Sequence, residues 1–592
     1  MSWGWRTKPR SIIKTVQWFK SFAKLENKNW NYTNDQLSRN RYKIHPVRRE
    51  YYFSAQQNED VSSPIYGISY FDYLNGTLDG SADSESNARN DLATYKFFGF
   101  GYVDNLGTIK VTKVGKLIEN DRFDGEMLLK QLLKISFPSI CSGYGRKIPK
   151  GKRVYPLNLI IRLLIDLEHI NRYELAYLFL CDDNSDYKLL KNSITEFRKN
   201  YGQLDKKNDR VKCEAIFRNI AETNFNFPDD VDIETLLTMG DAISRSLEFT
   251  NLFDVSGRGN YSKIRIAKHS RKKVELLNEK YSYHTIETKS LDEYMDWFGN
   301  PDNIILPWEN EDERKNLILD KIDLLNKTIH RVNETYSLGL KLNENELYSK
   351  VQNINSSSEL KLLEEDLIRQ ITTLNENIFV KYLSQGSESR KEIIEKFNDI
   401  ISGNEDMAAL WLECNTWKSL VAINGEKVVK RNFDIEEDLT PKSFAPGKNN
   451  TPDMELYAND DVLIPEVSLM NGVQQWEHEG SSVIDHVLKF IDKEKGKNVY
   501  GLFISKTINI RTNWQFFILN KESWMGKPVP VIPLTIEQYK DITSFIYDKN
   551  LNINNFIELI KQIHIKAKES VNYQEWNSSC SNVIEEWKKL YV

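Results

Sequence analysis

Cysteine is scarce and scattered: Cys141, Cys181, Cys213, Cys414 and Cys580 lie far apart in 592 residues and form no C-x-x-C pair. That argues against a zinc site and a disulfide framework, and it fits a reducing cytoplasm. Long apolar runs are missing as well. The longest, around Leu157 to Leu167, is broken by Arg162 and Asp166, and the opening MSWGWRTKPRSIIK lacks both an uninterrupted apolar core and a cleavage motif. No signal peptide and no membrane span are expected. Acid is absent from the first 25 residues, which hold six Lys or Arg and three Trp. The pattern there predicts an amphipathic helix from Ile12 to Phe22 docked on the body. Proline is absent from Trp308 to Thr440.

What is present is enough for about three or four domains, with 40% hydrophobic and 11% aromatic residues to fill their cores. The formal charge of -5 argues against a nucleic-acid partner only if charge is spread evenly, and it is not. Arg39, Arg41, Lys43, Arg48 and Arg49 form one basic cluster. Arg146, Lys147, Lys150, Lys152 and Arg153 form another, in a Gly- and Pro-containing loop ahead of a helix over Leu157 to Leu167. From Gly257 to Val274 the chain carries Arg258, Lys263, Arg265, Lys268, Arg271, Lys272 and Lys273 with no acid. Cations clustered beside a hairpin and at a helix start are the electrostatic footprint of a protein that grips the DNA backbone.

Two stretches share an order of helix, two short strands with a turn, then helix, which is a winged-helix signature. In the first, Asp104 to Gly107 make the turn and Thr112 caps the following helix. The second runs from Leu247 to Leu277. Beyond Trp308, apolar residues at three and four spacing predict two long helices joined by a bend around Asn353 to Ser358. A stiff spacer of that kind would hold the parts of the chain on either side of it at a set distance.

The chemistry is carried by Met407 to Phe490. Val462 to Leu469 reads as a strand in which Val462, Ile464, Glu466 and Ser468 share a face. Thirteen residues before Glu466 comes Asp453, set by Pro452 and followed by the short strand MELY and an Asn-Asp-Asp turn. A hairpin of that length brings the two carboxylates together. They repel unless a cation lies between them, and hard oxygen ligands without nearby Cys or His suit Mg²⁺, with Mn²⁺ as substitute. From Gly472 to Phe490 a helix is predicted with Gln475, Glu479, Ser482 and His486 in a polar stripe and Val473, Trp476, Val483, Val487 and Phe490 in an apolar one. Upstream, Leu410, Trp411, Cys414 and Trp417 make a helical apolar pattern that leaves Glu413 on another flank. Later, NVYGLFISKTI and NWQFFIL read as strands, PVPVIPLT as an edge strand, Ile536 to Tyr547 as a helix, and Asn554 to Tyr591 as a last helical stretch.

Glu413 to Trp417 (E-x-x-T-W), Thr451 to Glu455 (T-P-D-M-E), Glu466 to Ser468, Gly472, Gln475 and Glu479 together resemble the AlwI family of type IIS restriction and nicking endonucleases, within the PD-(D/E)XK nucleases. FFGFGYVD, LLKQLLKISFPS and RVYPLNLIIRLL resemble its recognition half. The resemblance implies a multidomain α+β protein of a prokaryotic cell: residues 1–300 for DNA recognition with two winged-helix-like units, 301–395 a helical linker, 396–592 an α/β nuclease domain. It implies that Asp453, Glu466 and the Val467 carbonyl bind metal, and that Glu413 and Glu479 complete the site. His486 has a counterpart in the pattern too, and Gln475 stands with it as a second-tier catalytic candidate. The superfamily's lysine falls at Ser468, so Glu479 is the expected replacement for activating water. The substrate implied is double-stranded DNA, cut at a fixed distance outside an asymmetric site of the GAGTC or GGATC type. One chain carries one such site, so cutting both strands needs a second copy or a small nuclease subunit. A cognate methyltransferase would protect host DNA. The competing readings are a sequence-specific DNA-binding protein with an inactive nuclease fold, and a nuclease for structured or single-stranded DNA.

Overall fold

The computed structural model describes residues 2–30, 81–141, 146–202, 210–225, 232–256, 259–336, 339–403, 405, 407–424, 428–442, 451–521 and 528–591. The cluster from Arg39 to Arg49 lies outside them. The chain divides into two compact units, Met1–Arg314 and Lys315–Val592. Among the described residues the first unit mixes helices with three small sheets and the second with one five-stranded sheet, and no helix is long and apolar enough to cross a membrane.

In the first unit the helix Ile12–Ala23 is capped by Ser11, whose side chain accepts from the Lys14 amide, and it buries Phe19 and Phe22 completely. Those rings pack against Tyr95 and Phe100, so the N-terminal helix is docked as its apolar spacing predicts. The helix Ser81–Phe97 leads into the antiparallel pair Gly101–Val103 and Ile109–Val111. Between the strands the Asp104 carboxylate accepts from the amides of Leu106 and Thr108 at 2.9 and 2.8 Å. Gly107 takes φ +84°, which a side chain would resist. Thr112 caps the next helix, Lys113–Glu119, by accepting from the Gly115 amide at 3.2 Å. The second stretch has the same order: helix Ile233–Phe249, hairpin Phe253–Ser256 and Lys263–Ile266, helix Arg271–Lys280. A third strand, His169–Asn171, pairs with Lys263–Ile266.

The second unit opens on helices that depart from the sequence reading in one place. The first of the two long helices expected before the bend ends at Tyr336, and a separate short helix begins at Glu344. Gly339 sits at φ +65° and the Asn333 side chain bonds both the amide and the carbonyl of Leu340, so the backbone turns out of the helix there. The bend is found where predicted, with Ser356 capping the helix Ser357–Ile378. Ile318, Ile322, Leu325 and Ile329 of the first helix pack on Leu360, Leu363, Leu367 and Ile371 of the last.

A five-stranded sheet follows. Its elements are α1 (Ala408–Asn424), β1 (Val429–Arg431), β2 (Met454–Ala458), β3 (Asp461–Ser468), α2 (Ser481–Lys493), β4 (Asn498–Ser505), α3 (Ile510–Lys521), β5 (Val531–Thr535) and α4 (Ile536–Asp548). The strand order is β5-β4-β3-β2-β1, with β3, β4 and β5 parallel and β2 antiparallel to both its neighbours. Pro533 sits in β5 because that strand is an edge and needs no amide on its outer side.

Three elements differ from expectation. NWQFFIL is helical, within α3: its buried residues Asn513, Phe516, Phe517 and Asn520 recur at three, one and three, a helical face and not a strand's alternation. The last stretch is two helices, Ile553–Glu569 and Tyr573–Lys589, the second capped by Asn572. The helix expected from Gly472 to Phe490 is interrupted by a π-turn over Gln475–Gly480, which rotates the residues before it relative to α2. Val483, Val487 and Phe490 are buried as expected, but Val473 is 54% exposed.

Candidate active site

The site begins with a hairpin. β2 and β3 pair Ala458 with Asp461, Tyr457 with Val462 and Leu456 with Leu463, around a turn at Asn459 with φ +53°, a conformation Asn tolerates. Asp453 lies just before β2, beyond the last paired residues, Leu456 and Leu463. A side-chain bond fixes the arrangement: the Val467 amide donates to Asp453 Oδ2 at 2.9 Å. From the other side Asn432 holds the backbone, its amide donating to the Asp453 carbonyl at 3.0 Å and its side chain to the Pro452 carbonyl at 2.9 Å.

Glu466 is only 6% exposed and is hydrogen-bonded through Oε1 to His486 Nδ1. His486 reaches it because α2 lies close on the sheet. A Cβ on Gly501 would stand 2.6 Å from the Val487 methyl, so glycine is what lets helix and strand approach. Glu413, also buried, lies on α1, which is buried on nearly every side and is tied to β1 by Trp417 Nε1 donating to the Val429 carbonyl at 3.2 Å.

Gln475 is completely buried and fully engaged. Its Nε2 shares its two hydrogens among Ser505 Oγ at 3.0 Å and the carbonyls of Met470 and Thr507 at 2.9 and 2.7 Å, while Oε1 accepts from the Asn509 amide at 2.7 Å. It fastens the ends of β3 and β4 to the start of the π-turn. Glu479 lies in that π-turn, and its side chain is outside the described residues. Ser468 ends β3, its hydroxyl accepting from the Met470 amide at 3.0 Å.

Asp453 and Glu466 are hard oxygen donors, the type that Mg²⁺ takes, and the donor chemistry fits such an ion. Among the described residues no group of three or more His, Cys, Asp or Glu is arranged to hold a metal.

One cluster escapes the sequence reading. Glu455, 4% exposed, accepts from Lys430 Nζ at 2.8 Å, Asn432 Nδ2 at 3.1 Å and the Tyr457 hydroxyl at 2.7 Å. Burial pushes its pKa up, but the bonds from Lys430, Tyr457 and Asn432 outweigh that and hold it below the ordinary glutamate range. The signal was present, since Glu455 belongs to the T-P-D-M-E stretch and lies two residues from Asp453.

The basic residues proposed for DNA lie in the first unit. Ile264 and Ile266 turn inward from their strand, leaving Lys263 and Arg265 half-exposed on its other face. Lys268, Arg271 and Lys272 are exposed at the start of the helix Arg271–Lys280, where Arg271 also pairs with Glu275 at 3.0 Å. Lys273 is half-buried, its ammonium 5.5 Å from the Trp308 ring centre. Lys147 is exposed; Arg258 and the Arg146 side chain lie outside the described residues. Arg153 is committed to the fold: Nη1 donates to Ser136 Oγ at 3.0 Å and to the Pro138 carbonyl at 3.1 Å.

The chain matches the family model of the AlwI restriction endonuclease over residues 97–542. Among solved structures it is similar to the small subunit (R.BspD6I2) of the heterodimeric restriction endonuclease R.BspD6I, at 20% identity and a TM-score of 0.28, covering 33% of this chain and 98% of that one. No curated protein matches.

Proposed function

The chain belongs to the AlwI restriction endonuclease family, a nuclease family that hydrolyses DNA, and we propose that it is a type IIS or strand-specific nicking enzyme of PD-(D/E)XK type. In this reading it recognises a short asymmetric duplex site and cuts at a fixed distance outside it. The observation that supports the reading is the bond across the hairpin from the amide of Val467, the residue after Glu466, to Asp453 Oδ2 at 2.9 Å.

Asp453, Glu466 and the Val467 carbonyl would hold Mg²⁺, with Mn²⁺ able to substitute, and Glu413 would help anchor it. When bound, such an ion polarises a phosphoryl oxygen and lowers the pKa of water. The protein's own groups do the rest. His486 orients Glu466, Gln475 fixes the loop that follows β3, and Glu479 orients or deprotonates the attacking water, because Ser468 stands where the superfamily has lysine. In the first unit the two helix–hairpin–helix stretches act as winged helices, and Arg258, Lys263, Arg265, Lys268, Arg271 and Lys272 grip phosphates. The helices from Glu311 to Ile378 space recognition from cleavage. Breaking both strands requires a second cleavage domain, from another copy or a small subunit, and a methyltransferase protects the host's own sites.

The test is to incubate the protein with supercoiled plasmid and Mg²⁺ and to map breaks on each strand. The expected result is breaks at one offset from one short asymmetric sequence, absent when EDTA is added. Binding without breaks would make the chain a DNA-binding protein with an inactive nuclease fold, and breaks confined to single-stranded regions would make it a different nuclease.

A further inference from the structure

The acid pair faces a polyanion, and a backbone phosphate approaching Asp453 and Glu466 meets negative charge unless a cation stands beside them. The sheet supplies one. Lys430 of β1 pairs with Glu455 of β2, and Glu455 lies two residues after Asp453, whose carboxylate accepts from the amide of Val467, the residue after Glu466. Its neighbour Arg431 bonds Glu376 and the Phe433 carbonyl and serves the fold. Lys430 is different: its side chain remains 55% exposed although its partner Glu455 is 5% exposed. The carboxylate below it is itself held by Asn432 and the Tyr457 hydroxyl. Glu455 thus works as a buried anchor with an outward ammonium on top. Two residues along a strand span about 7 Å, which is the scale of a neighbouring phosphate and not of the group being cut.

We propose that Lys430 contacts a non-bridging oxygen of a DNA phosphate next to the scissile one, and that Glu455, Asn432 and Tyr457 form the frame that holds it there. This rests on the reading of Asp453 and Glu466 as the cutting site. Lys430 is a substrate contact; Glu455, Asn432 and Tyr457 are positioning residues.

The test is single-turnover cleavage, with Mg²⁺, of duplexes carrying one uncharged methylphosphonate at each phosphate near the cut in turn. For the unaltered protein, one position beside the cut costs on the order of 10- to 100-fold in rate, as expected when a charged hydrogen bond is removed. Lys430→Gln shows a similar loss on all-phosphate DNA and no further loss at that position, while Lys430→Arg keeps most of the rate. Because Lys430→Gln leaves Glu455 buried without its cation, the double change Lys430→Met with Glu455→Gln is measured beside it and gives the same pattern. Tyr457→Phe loosens the frame and weakens the methylphosphonate effect without abolishing it. Full-rate cleavage by the double variant, or penalties that simply multiply at every position, overturns the proposal. Asp453→Ala is run alongside: if it still cuts, the site itself is misassigned, whereas an inactive Asp453→Ala with normal Lys430 variants removes this proposal alone.

Discussion

Gln475 shows what a single side chain contributes here. The sequence placed it in a polar stripe as a catalytic candidate, because its spacing to Glu479 was visible and its partners were not: Ser505, Thr507 and Asn509 lie some thirty residues on. Replacement by Leu leaves two carbonyls, a hydroxyl and an amide without partners in a dry interior. We expect a loss of about 2–4 kcal/mol in urea unfolding, together with reduced cleavage as the loop after Ser468 relaxes. His564 gives a second prediction at this scale. Its Nδ1 donates to Asn520 Oδ1, since the Asn520 amide nitrogen is already bonded to the carbonyls of Phe516 and Val531. Burial first, and Lys568 second, push its pKa from 6.5 to about 4. Above pH 6.5 it is neutral whether folded or unfolded, and its contribution is complete. Below that the unfolded chain takes a proton that the fold refuses, so stability falls until about pH 4. Melting temperatures measured from pH 7 to pH 4 should fall more steeply for the natural protein than for His564→Gln.

At the scale of elements, strand β3, the hairpin turn, the Thr112 cap and the bend before Ser357 were legible because each depends on neighbours in sequence. α3 was misread because a short run rich in aromatic and aliphatic residues is compatible with either state, and what decides it is the three-four spacing of Asn513, Phe516, Phe517 and Asn520. The π-turn was not legible: it starts at Gln475, whose side chain is tethered to Ser505, Thr507 and Asn509, far along the sequence. The approach of α2 to β4 was equally hidden, and it yields a test. Gly501→Ala places a methyl 2.6 Å from Val487 and 3.2 Å from Val531. It should cost about 1–3 kcal/mol and lower the cleavage rate by shifting His486 from Glu466. A variant as stable and as active as the original would show that the close approach is not needed.

For the whole molecule, the net charge of -5 conceals an uneven distribution of charge. The acid pair sits in one unit, and the exposed cations Lys268, Arg271 and Lys272 cluster at one helix start in the other. Reversing charge at Arg271 and Lys272 to Glu should weaken duplex binding and flatten its dependence on salt, by about one unit of slope for each phosphate no longer neutralised; titration at several salt concentrations reads both. The clustering of cations in the first half of the chain could be read from the sequence. Which cations serve the fold could not, as Arg153 shows, because its partners Ser136 and Pro138 are neighbours only once the chain is folded.

The most direct test of the acid pair is to compare Asp453→Ala with the unaltered protein on one labelled duplex containing the recognised site, measuring binding and Mg²⁺-dependent cleavage in the same samples. Cleavage should disappear while the dissociation constant stays within a few-fold. Persistent cleavage would contradict the assignment, and so would a joint collapse of binding and cutting, which would make Asp453 a DNA contact or a structural residue.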